Sequence, residues 1–161
     1  MQPGFEELFH QQFEPMKRLA FLLGADDAEN IAQEAFLRLH RRWPGLREPD
    51  KALAYLHRTV VNLAKSRLRH LRVVRRAPRE EPGLADSAEV HVLTGLVGGS
   101  VRAALAQLTE RQRQVLVLRY WLGLDQAAIG GALGIAVGTV KATNSQALDR
   151  LRTLLTTEEV R

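Results

Sequence analysis

GLDQAAIGGALGIAVGTVKATNSQALDRLR, residues 123–152, has the layout of a helix-turn-helix. Asp125 is placed to cap a short helix over 126–133, Ile129 and Leu133 fall on one face of it, and Gly134 supplies the left-handed residue that ends it. Residues 134–136 make the turn. From Val137 a second helix sets Val140, Ala147, Leu151 and Leu154 at spacings of seven, four and three, which is one buried face. Thr139, Lys141, Ser145 and Gln146 form the opposite, hydrogen-bonding face. Any surface helix has a polar side. A short first helix, a three-residue turn and a glycine at the join favour insertion into a DNA major groove over plain solvation.

The whole chain of 161 residues carries a net charge of +5, from 23 Lys and Arg against 18 Asp and Glu, with 45% hydrophobic residues, enough for one ordinary domain or two small ones. The charge is unevenly placed. Asp26, Asp27, Glu29 and Glu34 are an acidic patch, whereas residues 51–79 contain no acid, so an anionic partner is expected for the middle of the chain. The absence of cysteine excludes a disulfide framework, a thiolate metal site and a cysteine nucleophile. No apolar run approaches the roughly 20 residues that span a bilayer, and the N-terminus MQPGFEELF has no basic flank before an apolar core. A cytoplasmic protein with no membrane partner is the expectation.

Phe5, Leu8, Phe9, Phe13, Met16, Leu19 and Leu23 recur at helical spacing and predict a helix over 4–23, ended by Gly24. Asp26 is placed to cap a second helix through Arg42 with Ala28, Ile31, Ala32, Ala35, Phe36 and Leu39 inward and Glu29, Gln33, Glu34 and Arg38 outward. Trp43, Pro44 and Gly45 break it. A third helix over 50–72 buries Leu53, Leu56, Val60, Leu63, Ala64 and Leu71 and carries Arg58, Lys65, Arg67, Arg69 and Arg72 as a cationic ladder without carboxylate partners. RRAPREEPGLADSAE then reads as linker, and residues 90–97 as a weak apolar segment. Beyond it, Val101, Leu105 and Leu108 predict one helix. Thr109 and Gln112 form a capping box for the next, which holds Val115, Leu116, Leu118 and Tyr120. The fold class is all-α: two small helical domains, residues 1–74 and 100–161, joined by a flexible linker over 75–99.

No enzyme active site, metal or cofactor is expected. The acid patch reads as helix N-terminal charge or a docking surface rather than a metal site, the five histidines as surface residues at no ligand spacing, and Gly130, Gly131 and Gly134 as no phosphate loop. Trp43 and Trp121 read as packing residues that close helices. Tyr55, beside Arg58, Asn62 and Lys65, is placed to stack on unpaired bases.

DDAENIAQEAFLRLHRRW, AYLHRTVVNLAKSRLR and LTERQRQVLVLRYWLGLDQAAIGGALGIAVGTVK, in that order, resemble a bacterial extracytoplasmic-function sigma factor of the sigma-70 family. The resemblance implies a promoter-recognition subunit that binds core RNA polymerase at the beta-prime clamp helices and beta flap, together with promoter DNA. Asp27, Gln33, Glu34, Phe36 and Arg38 would face the polymerase. Tyr55, Arg58, Asn62, Lys65 and Arg69 would melt and read the minus-ten element, with Asn62 at a flipped base. Thr139, Lys141, Thr143, Ser145 and Gln146 would read the minus-35 element. An anti-sigma factor and a monomeric free state are further implications. Because flipping bases costs a few kcal/mol, about that of unstacking, the free chain is expected to bind duplex DNA poorly.

Two departures stand out. Lys141 is the sole charged residue among residues 141–146, where the family has a basic-rich start to the recognition helix. Gly130 and Gly131 each cost roughly 1 kcal/mol inside a helix, and Ala136 is a poor cap. A soft minus-35 domain that depends on polymerase or a helper protein is expected. The rivals are a stand-alone helix-turn-helix regulator, which needs tight duplex binding without polymerase, and a protein that sequesters a partner, which needs no DNA at all.

Overall fold

The computed structural model describes residues 3–46, 48–76 and 99–160, and among them every regular element is helical. Helix α1 (Pro3–Leu22) is followed by α2 (Ala28–Arg42), a 3-10 turn (Trp43–Gly45) and α3 (Pro49–Arg76). The second half contains α4 (Gly99–Ala106), α5 (Glu110–Leu116), one turn of π-helix (Val117–Trp121), α6 (Gln126–Leu133) and α7 (Val137–Val160). None of these helices is long and apolar enough to cross a membrane. The expected apolar segment at 90–97 and His91 lie outside the described residues.

The first three helices enclose the core that their periodicity predicts. Met16, Leu19, Ile31, Leu39, Leu56 and Val60 are fully buried. Aromatic rings join α1 to α2 and to the 3-10 turn, because Phe5 meets Phe36 and Trp43 edge-on at 6.3 and 5.4 Å, and Phe9 meets Phe36 at 5.0 Å. Gly24, at φ 106°, ends α1 as expected. The start of α2 differs. Asp27, not Asp26, occupies the N-cap, and it makes no side-chain capping bond. Both carboxylates are engaged by distant arginines instead: Asp26 by Arg102 at 3.3 Å and Asp27 by Arg67 at 2.6 Å.

In the second half the capping box forms in full, with Thr109 Oγ1 accepting from the Gln112 amide and Gln112 Oε1 from the Thr109 amide, both at 3.2 Å. The α5 run then widens into the π turn, where the Leu122 amide donates to the Val117 carbonyl at 3.3 Å. A π turn inserts a residue and re-aims those after it. Val117 and Leu118 stay buried while Tyr120 and Trp121 turn outward, at 58% and 41% exposure. Val101 is exposed for a different reason: α4 buries only its Ala104 and Leu105 side.

The two halves pack together. Their buried residues form a single cluster in which α6 lies against α3 and the π turn against α1.

Candidate nucleic-acid interface

Tyr55, Arg58, Asn62, Lys65 and Arg69 follow one another along α3 at spacings of three, four, three and four, which lines them up on one face over about 21 Å. Arg58, Asn62 and Arg69 are exposed; Tyr55 and Lys65 are half-buried. The cationic ladder is not wholly unpaired, because Arg67 is held by Asp27. Nor is the Tyr55 ring bare. The Arg42 guanidinium lies 5.9 Å from its centroid. Nor are all the histidines on the surface: His57, inside α3, is buried, and that burial lowers its pKa to about 4.

The second predicted surface lies roughly 100° round α3 from this stripe. Gln33, Glu34 and Arg38 of α2 and Ser66, Arg67 and His70 of α3 line one cleft of about 560 Å³. Glu34 accepts from Arg38 Nε at 3.0 Å, and Asp27 borders the group through Arg67. Phe36 does not stand among them. It is 3% exposed, held in the aromatic cluster by Phe5 and Phe9, so the surface beside the cleft is supplied by Leu37 instead.

The helix-turn-helix forms as its local signals dictate. Asp125 Oδ1 accepts from the Ala128 amide at 2.8 Å, Gly134 is left-handed at φ 69°, and Ile129, Val140 and Ala147 are buried. Thr139, Lys141, Ser145 and Gln146 are exposed; Thr143 is half-buried at the edge of their face. Gly130 is not the defect its helical position implies. A Cβ there would come within 2.8 Å of the Ile135 carbonyl oxygen, so the close approach of the turn to α6 requires glycine. A Cβ on Gly131 would meet nothing. On the inner side of α7, Asn144 donates to the Tyr120 hydroxyl at 3.4 Å, and its Oδ1 is buried without a partner among the described residues.

Among the described residues, three arginines join the halves by hydrogen bonds. Arg113, 7% exposed, donates from Nη1 to the Leu23 carbonyl at 3.0 Å, and from Nε and Nη2 to the Leu105 and Leu108 carbonyls at 3.0 and 3.2 Å. Arg102 donates from Nε to the Phe21 carbonyl at 3.0 Å, pairs with Asp26, and lies 3.9 Å above the Phe21 ring. Arg58 Nη2, from the middle of the α3 stripe, donates to the Gly131 carbonyl at 3.1 Å. Sequence reading passes over Arg102 and Arg113. One signal was available: α1 has no basic residue in its last turn, so its carbonyls call for cations from elsewhere. Among the described residues no group of His, Asp or Glu is arranged to hold a metal ion.

Comparison with known proteins matches the model for "Sigma-70 region 2" to residues 16–76 and that for "Sigma-70, region 4" to residues 104–153. The chain is 34% identical over 152 residues to the RNA polymerase sigma-E factor of Streptomyces avermitilis, covering 92% of this chain and 83% of that one. It is 33% identical to the ECF RNA polymerase sigma factor SigM of Mycobacterium tuberculosis, covering 94% and 77%. With the RNA polymerase sigma-H factor of Pseudomonas aeruginosa it shares 28% identity, over 76% and 69%. Two family regions in order, on two helical units that carry a cationic stripe and a helix-turn-helix, place this chain in the sigma-70 family as an extracytoplasmic-function RNA polymerase sigma factor that directs transcription initiation.

Proposed function

We propose that residues 1–74 dock on core RNA polymerase through the α2/α3 cleft and open the minus-ten element on the α3 stripe, while residues 100–161 read the minus-35 element with the outer face of α7. The observation that carries this reading is the alignment of Tyr55, Arg58, Asn62, Lys65 and Arg69 on one face, apart from the cleft that holds Gln33, Glu34 and Arg38. A run of cations with one aromatic and one amide suits a single strand, whose phosphates need charge and whose bases need a ring and a donor-acceptor pair. Asn62 takes the flipped base; Arg58, Lys65 and Arg69 track the backbone. The cleft takes the beta-prime clamp helices, and the second domain reaches the beta flap. An anti-sigma factor acting on this chain covers one of these surfaces. The reaction chemistry is the polymerase's, exercised in the cytoplasm, and the chain supplies positioning and strand capture without cofactor.

Residues 137–149 of α7 hold a single cation, Lys141, beside Thr139, Thr143, Ser145 and Gln146, so few phosphates are neutralised there and minus-35 binding leans on polymerase contacts. Co-elution of the purified chain with core polymerase, beside a titration of random duplex DNA without polymerase, tests the proposal. Stoichiometric co-elution with weak duplex binding is expected. Tight, salt-sensitive duplex binding with no co-elution would establish a stand-alone regulator instead.

A further inference from the structure

We infer that Arg42 and Tyr55 form a clamp for one unpaired base, with the guanidinium on one face of the base and the phenol ring on the other. The inference rests on the reading of α3 as the minus-ten face. Tyr55 stands at the N-terminal end of that stripe, half-buried against the core, and the Arg42 guanidinium lies over its ring, 5.9 Å from the centroid. That is wider than direct stacking. Stacked planes are about 3.4 Å apart, so a base between ring and guanidinium needs roughly 7 Å, about 1 Å more than is present. Arg42 is exposed, and rotation about its own side-chain bonds supplies the difference.

The surroundings place Arg42 for this use. It closes the last turn of α2, where the helix favours a cation, and the two residues after it anchor its backbone: Trp43 is buried and Pro44 opens the 3-10 turn. Among the described residues no carboxylate lies within ion-pair distance of Arg42, whereas Arg38 and Arg67 are held by Glu34 and Asp27. A guanidinium is also planar and weakly hydrated, and it stacks on π-faces as an ammonium does not.

The clamp adds to the stripe rather than repeating it. Tyr55 and Asn62 are seven residues apart, about 10.5 Å along α3, so the clamped base is roughly three nucleotides from the one at Asn62, at about 3.4 Å a step. Asn62 meets a base edge. Arg42 and Tyr55 grip a base by its faces, which every base presents, so the clamp strengthens capture of the strand without selecting its sequence.

The test uses the holoenzyme and a fork-junction DNA from a promoter that it transcribes, with the minus-ten part of the non-template strand left single-stranded. Each base of that tail is removed in turn to leave an abasic sugar, and affinity is read by fluorescence anisotropy. Arg42→Ala is expected to weaken binding of the intact fork about three- to fivefold, and Tyr55→Leu, which keeps the apolar packing but has no ring, about tenfold. One abasic position should weaken the parent yet cost Arg42→Ala and Tyr55→Leu nothing further, and it should differ from the position at which Asn62→Ala has the same effect. Arg42→Lys should bind as weakly as Arg42→Ala, because charge without the planar fork does not stack. Intact-fork affinity unchanged in Arg42→Ala overturns the clamp. So does full recovery in Arg42→Lys, or an Arg42→Ala loss that is equal at every abasic position, either of which would make Arg42 a phosphate contact only. Parent-like binding by Arg58→Ala, Asn62→Ala and Lys65→Ala as well would overturn the α3 reading itself, so the two failures are distinguishable.

Discussion

Arg113 Nη1 donates to the Leu23 carbonyl at 3.0 Å from a position 90 residues away, while the rest of the same guanidinium serves the Leu105 and Leu108 carbonyls. One planar fork thereby closes the end of α1 and the loop between α4 and α5. Hydrogen bonds from a charged donor contribute about 1.5–3 kcal/mol, and stranding their buried acceptors costs more than losing the bond alone. Arg113→Ala is expected to destabilise the chain by about 3 kcal/mol, measured by urea unfolding. Arg113→Lys should recover only part, because an ammonium cannot reach three carbonyls with fork geometry.

The adjacent glycines of α6 should answer oppositely to the same substitution. Gly130→Ala drives a methyl group to 2.8 Å from the Ile135 carbonyl oxygen, which must shift, and a loss of about 1–3 kcal/mol in thermal unfolding is expected. Gly131→Ala meets open space and should gain about 0.5–1 kcal/mol from helix propensity. Equal effects at the two positions would sink the account of the turn.

His57 is buried with its pKa lowered to about 4, below the unfolded value of 6.5. The unfolded chain therefore binds a proton across that interval that the folded chain refuses. Its contribution is in place above about pH 6.5 and is lost as pH falls toward 4, by up to about 3 kcal/mol. Urea midpoints measured from pH 7.5 to 4.5 should fall for the parent, and His57→Phe should flatten that part of the profile.

Docking and strand capture should separate by mutation. Asn62→Ala is expected to leave co-elution with core polymerase intact and to cut open-complex formation at least tenfold, read by permanganate reactivity of unpaired thymines. Glu34→Lys places a cation in the α2/α3 cleft and breaks the Glu34–Arg38 pair, so it should weaken co-elution itself. Equal loss of co-elution in both variants would show the surfaces to be misassigned.

Thr143 lies at the margin of the α7 outer face, half-buried, where a long side chain can reach past the helix to a phosphate. Thr143→Arg should strengthen promoter binding by the holoenzyme and steepen its dependence on log salt by roughly 0.9. An affinity and slope equal to the parent's would remove the argument that this helix is limited by its lack of cations.

What the sequence by itself determined are the features written within a few residues: the helices, the Asp125 and Thr109 caps, the left-handed Gly24 and Gly134, and the spacing of the α3 stripe. These follow from backbone sterics, unsatisfied helix-end groups and a 3.6-residue period, each of which a short window contains. Only the tertiary structure decided that the halves close on one another, that Asp26 and Asp27 serve Arg102 and Arg67 rather than a helix end, that His57 is buried, and that Gly130 is required. It also turned Tyr120 and Trp121 outward through a π turn that periodicity alone does not announce. The physical reason is separation along the chain. A carbonyl at the end of α1 is the same chemical group in every sequence, and which arginine reaches it, 81 or 90 residues on, is settled when packing brings the two together.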